Sequence, residues 1–342
     1  MRSVAEYFDV SPQLFWQQIV VADQPAILRQ AVKHWPAVMA ARQSDAALQQ
    51  YLAQLDNGTE VNTILAHPDT GGRLSYNDQL NGLNFERQNA PVTAVINELR
   101  RIAGKADALH LAIQSARTDV CLPGFSQHNA MPLLDSPWLD AAVVPRIWAG
   151  NHIVVPAHFD DADNLACVVA GKRRFTLFPP EQAANLYIGP LDFTPAGAPV
   201  SLVDITQPDL VRFPRYQQAM ANAQQAELSP GDVLFIPALW WHHVESLSDV
   251  NMLINYWWGG SLGDDAVANS PFDSLLHTLL CMKHVPVHRR AHWQALYNHL
   301  AFHQIADPCQ HLPDNCASVQ GELPEKRKKN IVTWLRSQLD KL

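Results

Sequence analysis

Between Arg146 and Trp257 the chain breaks into seven short apolar runs: Arg146–Ala149, His152–Val155, Leu165–Val169, Arg174–Phe178, Val233–Ile236, Trp241–Ser246 and Met252–Trp257. Gly, Pro, Asp or Asn punctuates the intervals between them. Such runs are too short for helices and have strand length, and a series of them closed by turn residues specifies a β-sandwich or barrel. One long interruption, residues 179–229, carries Pro190, Pro195, Pro199, Pro208 and Pro214 and reads as an ordered insertion between strands.

The flanks follow other patterns. Ser11-Pro12 ahead of Leu14, Phe15, Ile19 and Val20 predicts an N-capped helix, and Ala46–Leu55 a second. Val61–Ala66 and Leu109–Ile113 are β-type runs around a helical stretch from Val92 to Ile102, so residues 1–144 are mixed α and β. Past Ser270 the period becomes helical. Ser270-Pro271 with Asp273 caps a stripe of Leu275, Leu276, Leu279 and Leu280; Trp293, Leu296, Tyr297 and Leu300 form a second, and Ile331, Trp334, Leu335 and Leu339 a third. Residues 261–342 are thus expected to be helical, with enough apolar surface either for a homodimer interface or for packing on the barrel.

Composition narrows the class of partner. The 342 residues carry 25 Lys+Arg and 33 Asp+Glu, a formal charge of −8, which argues against a broad phosphate-binding surface. The five cysteines show no CxxC spacing, as expected of reduced thiols in a cytosolic protein. No stretch approaches the roughly 18 apolar residues of a membrane span, and a cytoplasmic location is expected. The 15 histidines are numerous for this length, and histidine is the commonest metal ligand.

Two of the strand-like segments bear histidine. In Pro156-Ala157-His158-Phe159-Asp160 the imidazole and the carboxylate are two apart, which puts both on one face of a strand. The second source is Trp240-Trp241-His242-His243-Val244, where adjacent histidines face opposite ways and only one can point inward. Two histidines and one carboxylate leave one face of an octahedral iron open for a co-substrate and O₂.

Together these segments resemble a known family. PAHFDDADN at 156–164, GKRRFTLFPP at 171–180, SPGDVLFIPALWWHHVESL at 229–247 and NYWW at 255–258 are similar to the JmjC-type, cupin-like Fe(II)- and 2-oxoglutarate-dependent oxygenases. The resemblance is strongest between about 146 and 260, and fainter at Gln24-Pro25-Ala26-Ile27 and Trp35-Pro36. It implies Fe(II) on His158, Asp160 and His242, with His243 as the competing third ligand. It implies that the distal carboxylate of 2-oxoglutarate meets Arg173, where the family has lysine, with Lys172 as the alternative if the register differs. Asn164 and Asn255 match amides around the co-substrate, and Trp257 an apolar wall. Two family hydroxyls are missing: Val155 and His110 stand in their places.

The expected fold is mainly β with helical additions: a jelly-roll core over 145–260 with the 179–229 insertion, an N-terminal α/β segment over 1–144 extending its sheets, and a helical region over 261–342. The function that the resemblance implies is C–H hydroxylation with Fe(II), 2-oxoglutarate and O₂. The acidic charge favours a protein or peptide substrate over a modified RNA base. A metal cupin without 2-oxoglutarate turnover, enzymatic or not, is the other reading.

Overall fold

Every one of the seven apolar runs falls on a strand in the computed structural model of the chain, which describes residues 1–137, 139, 143–195, 197–260, 271–303, 308, 310–312, 319 and 323–340. An eighth strand joins them. The eight are β1 (Arg146–Gly150), β2 (Val154–His158), β3 (Asp163–Ala170), β4 (Arg173–Phe178), β5 (Gln224–Leu228), β6 (Val233–Ile236), β7 (Trp241–Ser246) and β8 (Asn251–Trp258). All pair antiparallel, in the orders β5-β4-β7-β2 and β6-β3-β8-β1, the two facing sheets of a jelly-roll.

β5 lies inside the stretch expected to be insertion only. Its sequence, QQAEL, buries only Ala226 and Leu228, so it offers no apolar run to read, yet it pairs with β4 through five residues. The rest of the insertion forms a short turn of helix at Pro180–Asn185 and a helix at Tyr216–Asn222. Leu186, Val203, Phe213 and Tyr216 pack there with Trp241 and Phe178, covering the outside of the smaller sheet.

The N-terminal segment extends both sheets. Arg2–Ser3 runs parallel to β5, while Ala26–Arg29 pairs with β6 and Ala5–Phe8 lies beyond it. At the other edge, His110–Arg117 pairs with β1 and is followed by Glu60–Ala66 and then Phe85–Pro91. Phe85–Pro91 escapes a periodicity reading because its central residues are exposed and polar, as suits an edge. Helix Val92–Ile102 buries Val92, Val95, Ile96, Leu99 and Ile102, an i, i+3, i+4, i+7 stripe. At about 1.5–3 kcal/mol per large apolar side chain, that stripe is enough to seat the helix against the outer face of the larger sheet, with Ile147 and Ile254 in the same cluster.

The inner faces of the two sheets meet in a second cluster, which includes Ala166, Val168, Phe175, Leu177, Leu234, Val244 and Leu253. Trp258 sits in the outer cluster with Phe15, Trp16 and Phe235 and is a core residue.

Met1–Ala268 forms one compact unit and Asn269–Leu342 another. The second contains helices Pro271–Met282, Val287–Leu300 and Glu325–Leu339, none of which has a buried residue. Each expected apolar stripe falls on one of these helices. Ser270, Cys309 and Cys316 lie outside the described residues.

Candidate metal and co-substrate site

His242 on β7 is the register partner of His158 on β2, so two imidazoles stand side by side across the ladder, with ring centroids 4.2 Å apart. The register slips between His242 and Val244, opposite Pro156, which has no N–H to give to the ladder. Asp160 follows two residues after His158, and its Oδ2 lies 3.6 Å from His242 Nε2. One ligand atom from each of His158, Asp160 and His242 lies within 4.8 Å of the others, the single group among the described residues placed to hold a metal ion.

Backbone carbonyls set the tautomers. His158 Nδ1 is 2.9 Å from the Pro156 oxygen and His242 Nδ1 is 3.0 Å from the Trp240 oxygen. Each Nδ1–H donates there, which leaves the Nε2 lone pairs free on the inner face, the outer-shell arrangement usual for metal-binding histidine. The loops are clasped as well. The Leu239 N–H donates to the Asp160 carbonyl at 2.7 Å, and the Ala238 N–H to the Asp163 carboxylate at 3.0 Å. Burial pushes the Asp160 carboxyl up, opposed by His158 and by the neighbouring Trp257 indole, and pushes His242 down. A desolvated carboxylate beside two imidazoles is an unfavourable charge for the fold to bury, and a divalent cation would compensate it.

His243 occupies the other face, as strand alternation requires. It is buried, and neither ring nitrogen has a hydrogen-bond partner; the nearest acid, Glu245, is 3.8 Å away. Burial lowers its pKa to about 4.

Farther into the barrel lies Arg173. It stands opposite Ser246, four residues down β4 from Leu177, the partner of His242; at about 3.3 Å per residue that is roughly 13 Å. Its guanidinium is buried, Nε has no partner, and its one hydrogen bond, 3.3 Å long, goes to the Trp148 carbonyl. No carboxylate among the described residues pairs with it. Burial alone lowers its pKa to about 10, so it stays charged. Lys172 is exposed in the β3–β4 turn. Gly171 there has φ +69°, and a Cβ would strike the Val250 carbonyl and the Asn251 side chain, so the turn admits only glycine.

The amides lie between these two ends. Trp148 Nε1 donates to Asn255 Oδ1 at 2.7 Å, and Asn255 Nδ2 donates to Asn164 Oδ1 at 3.3 Å. This relay fixes both amides and leaves Asn164 Nδ2 as its terminal donor. Trp148 was not singled out from the sequence; the alternation that puts it on the inner face with Asn255 is the signal that could have found it. Trp257 stands edge-on to Trp148 with centroids 5.9 Å apart. Val155 packs against the inner cluster. His110 is half-buried beside Gly72, with Nδ1 buried and unpaired, and no hydrogen bond joins it to Arg173 among the described residues.

A jelly-roll with two histidines and one aspartate on its inner face, and an unpaired cation below them, defines a cupin-type metal oxygenase. The cupin-like domain family profile matches residues 12–263, and the chain belongs to that family, as a JmjC-type 2-oxoglutarate-dependent oxygenase. It is 28% identical over 279 residues, 72% of this chain, to the bifunctional peptidase and (3S)-lysyl hydroxylase JMJD7 of Homo sapiens. It is 40% identical over 113 residues, 32% of this chain, to the HSPB1-associated protein 1 of Rattus norvegicus, and 25% identical over 245 residues, 71% of this chain, to the lysine-specific demethylase 8 of Xenopus tropicalis. The matches cover 81%, 23% and 50% of those three proteins.

Proposed function

We propose that the chain hydroxylates a C–H bond of a protein or peptide side chain, with Fe(II) held by His158 Nε2, Asp160 and His242 Nε2. Arg173 takes the distal carboxylate of 2-oxoglutarate, and Asn164, Asn255, Trp257 and the unpaired Nδ1 of His110 line the co-substrate subsite. The observation that carries this reading is the buried Arg173 guanidinium, which has no acidic partner and shares an inner face with the His158–Asp160–His242 cluster. A buried charge is retained where a ligand pairs with it, and guanidinium matches carboxylate in a two-point fork.

When bound, the iron and the 2-oxo acid together would supply the oxidising power: O₂ and 2-oxoglutarate are consumed, one oxygen atom of O₂ leaves in succinate with release of CO₂, and the other is inserted into the substrate C–H bond to give C–OH. This chain's residues do the rest. Pro156 and Trp240 hold the two imidazoles in the Nδ1–H form, Arg173 anchors one end of the dicarboxylate, and the Trp148–Asn255–Asn164 relay presents an amide donor along its length. The Trp257 indole stands beside Asp160 and walls the cluster on that side.

A protein substrate is supported by the lysine-directed names of two relatives and by the −8 charge, which repels a polyanion. We also infer a homodimer through the C-terminal helices, where Trp293 and Leu296 are half-exposed, and a cytoplasmic setting, because Cys121, Cys167 and Cys281 are free thiols. No helix among the described residues is long and apolar enough to cross a membrane.

The test is O₂-dependent conversion of 2-oxoglutarate to succinate by the Fe(II)-loaded chain, followed by mass spectrometry for oxygen addition in peptide and RNA pools. Absence of both 2-oxoglutarate binding and turnover overturns the reading, and oxygen addition in RNA alone overturns the substrate class.

A further inference from the structure

A second arginine faces the barrel interior. Arg146 is the first residue of β1, two before Trp148, and alternation puts it on the same inner face, at the end of the barrel where β2 reaches His158 and β7 begins before His242. It is half-buried. Its guanidinium lies 5.6 Å from the Trp257 ring centroid, over the indole that neighbours Asp160. One long hydrogen bond, 3.4 Å, runs from its Nη1 to the Ser115 carbonyl. No carboxylate among the described residues pairs with it.

The neighbourhood sharpens the point. Arg146 is the register partner of Arg117 on strand His110–Arg117, and like charges directly opposite one another are unfavourable. Arg117 is neutralised by Asp119 at 2.9 Å, and Arg146 is left as the residual positive charge at the mouth. The Ser115 that contacts it sits at φ +50°, within a register irregularity between Ile113 and Ala116. A non-glycine residue in that conformation is strained, and such strain clusters at ligand-binding positions.

We propose that Arg146 is a specificity-determining residue that binds a carboxylate of the substrate, so that the chain prefers an acidic peptide segment, with Asp or Glu close to the residue it hydroxylates. The proposal rests on the hydroxylase reading and adds the class of peptide. The guanidinium is flat, always charged, and already placed over the Trp257 ring, which lowers the entropy lost on pairing with a carboxylate. Arg173 and Arg146 divide the work: the deep one anchors the co-substrate and the shallow one reads the substrate. A single residual charge suits one carboxylate better than a phosphate backbone, which this chain of net charge −8 repels.

The test is fluorescence anisotropy on the full chain saturated with Zn(II) and 2-oxoglutarate, conditions without turnover. The probes are three labelled pools of short capped peptides, alike except that alternate positions are Glu, Gln or Lys, plus an oligouridylate. The expected result is that the Glu pool binds about tenfold tighter than the Gln pool. Arg146→Gln removes the preference, Arg146→Lys restores part of it, and Arg146→Glu turns it toward the Lys pool. Equal binding of the Glu and Gln pools, binding of none, preference for the oligouridylate, or a preference that survives Arg146→Gln overturns the proposal. So does a loss of 2-oxoglutarate affinity in Arg146→Gln equal to that in Arg173→Gln, which would make Arg146 a co-substrate residue. Failure of the hydroxylase reading shows separately, as absence of succinate formation by the iron-loaded native chain.

Discussion

The barrel interior and the C-terminal helices are mismatched with their surroundings in opposite senses. Inside the barrel, charged groups are buried with little to compensate them: the Arg173 guanidinium, whose Nε has no partner, and the Asp160 carboxylate beside His158 and His242. On the helices of Asn269–Leu342, apolar groups are exposed without cover: Leu279 43%, Trp293 47%, Leu296 51% and Trp334 60%. The two mismatches carry different information. An unpaired buried donor is costly and directional, so it names the charge and geometry of what completes it. An exposed leucine is cheap and non-directional, and names only the polarity of what covers it.

The comparison breaks first, and most heavily, at Asp160. Asp160→Ala removes the one carboxylate of the cluster and should lower 2-oxoglutarate turnover by far more than the roughly 10–100-fold lost when an outer-shell partner of a metal is removed. Circular dichroism should remain that of the native chain, and retained metal affinity with retained turnover would refute the ligand assignment. Next is Arg173. Arg173→Gln should raise the Kd of 2-oxoglutarate by about 10–100-fold, the value of a hydrogen bond to a charged group. Arg173→Met should weaken binding at least as much while raising the Tm of the ligand-free chain, because an uncompensated buried charge has been exchanged for hydrocarbon. A lowered Tm in Arg173→Met would show that the guanidinium is structural.

The outer face of the same strand gives a smaller effect, and a pH-dependent one. His243 has a pKa lowered to about 4 by burial, against the ordinary value of 6.5. The unfolded chain therefore binds more protons at this residue between those two values, and stability rises with pH across that interval. His243 places no cost on the fold above about pH 6.5, and its penalty grows to roughly 3 kcal/mol as the pH falls to about 4. Urea unfolding of the metal-free chain at pH 7 and pH 5 should show the loss, and His243→Phe should reduce it. An unchanged pH dependence in His243→Phe would mean that the ring is hydrated or paired in solution.

How much of this was legible in the sequence follows from the same physics. Seven of the eight jelly-roll strands announce themselves as short runs bounded by turn residues, β3, β6 and β8 most plainly because they are rich in Val, Leu, Ile or Phe. β5 does not, since its inward residues are only Ala226 and Leu228 and the rest of QQAEL is polar. The histidines and Asp160 were legible as a candidate cluster through strand alternation, which carries side chains to a common face without knowledge of tertiary structure. Arg146 and Trp148 were not, although alternation applies to them too: nothing local marks an arginine as unpaired, because whether an acid lies opposite depends on strands distant in sequence. The missing partners of His243 were hidden for the same reason, since the insertion that buries it arrives from residues 186–216.

The weakest of these effects on chemistry should come from the C-terminal helices, where the mismatch is apolar. Trp293, Leu296 and Leu300 lie at i, i+3 and i+7 on helix Val287–Leu300, one continuous exposed stripe. If a second copy of this chain covers it, each side chain contributes about 1.5–3 kcal/mol when fully buried, which makes the stripe a substantial part of a dimer contact. The double substitution Trp293→Glu with Leu296→Glu should then convert the native species to a monomer by sedimentation equilibrium. Because no described residue of that unit belongs to the His158–Asp160–His242 cluster or to the Arg173 floor, uncoupled 2-oxoglutarate consumption per chain should change by no more than about twofold, within the half kilocalorie typical of surface substitutions. A native chain that sediments as a monomer would remove the dimer from the account and leave the barrel chemistry untouched, whereas a monomeric variant that also loses turnover would mean that the second copy completes the site.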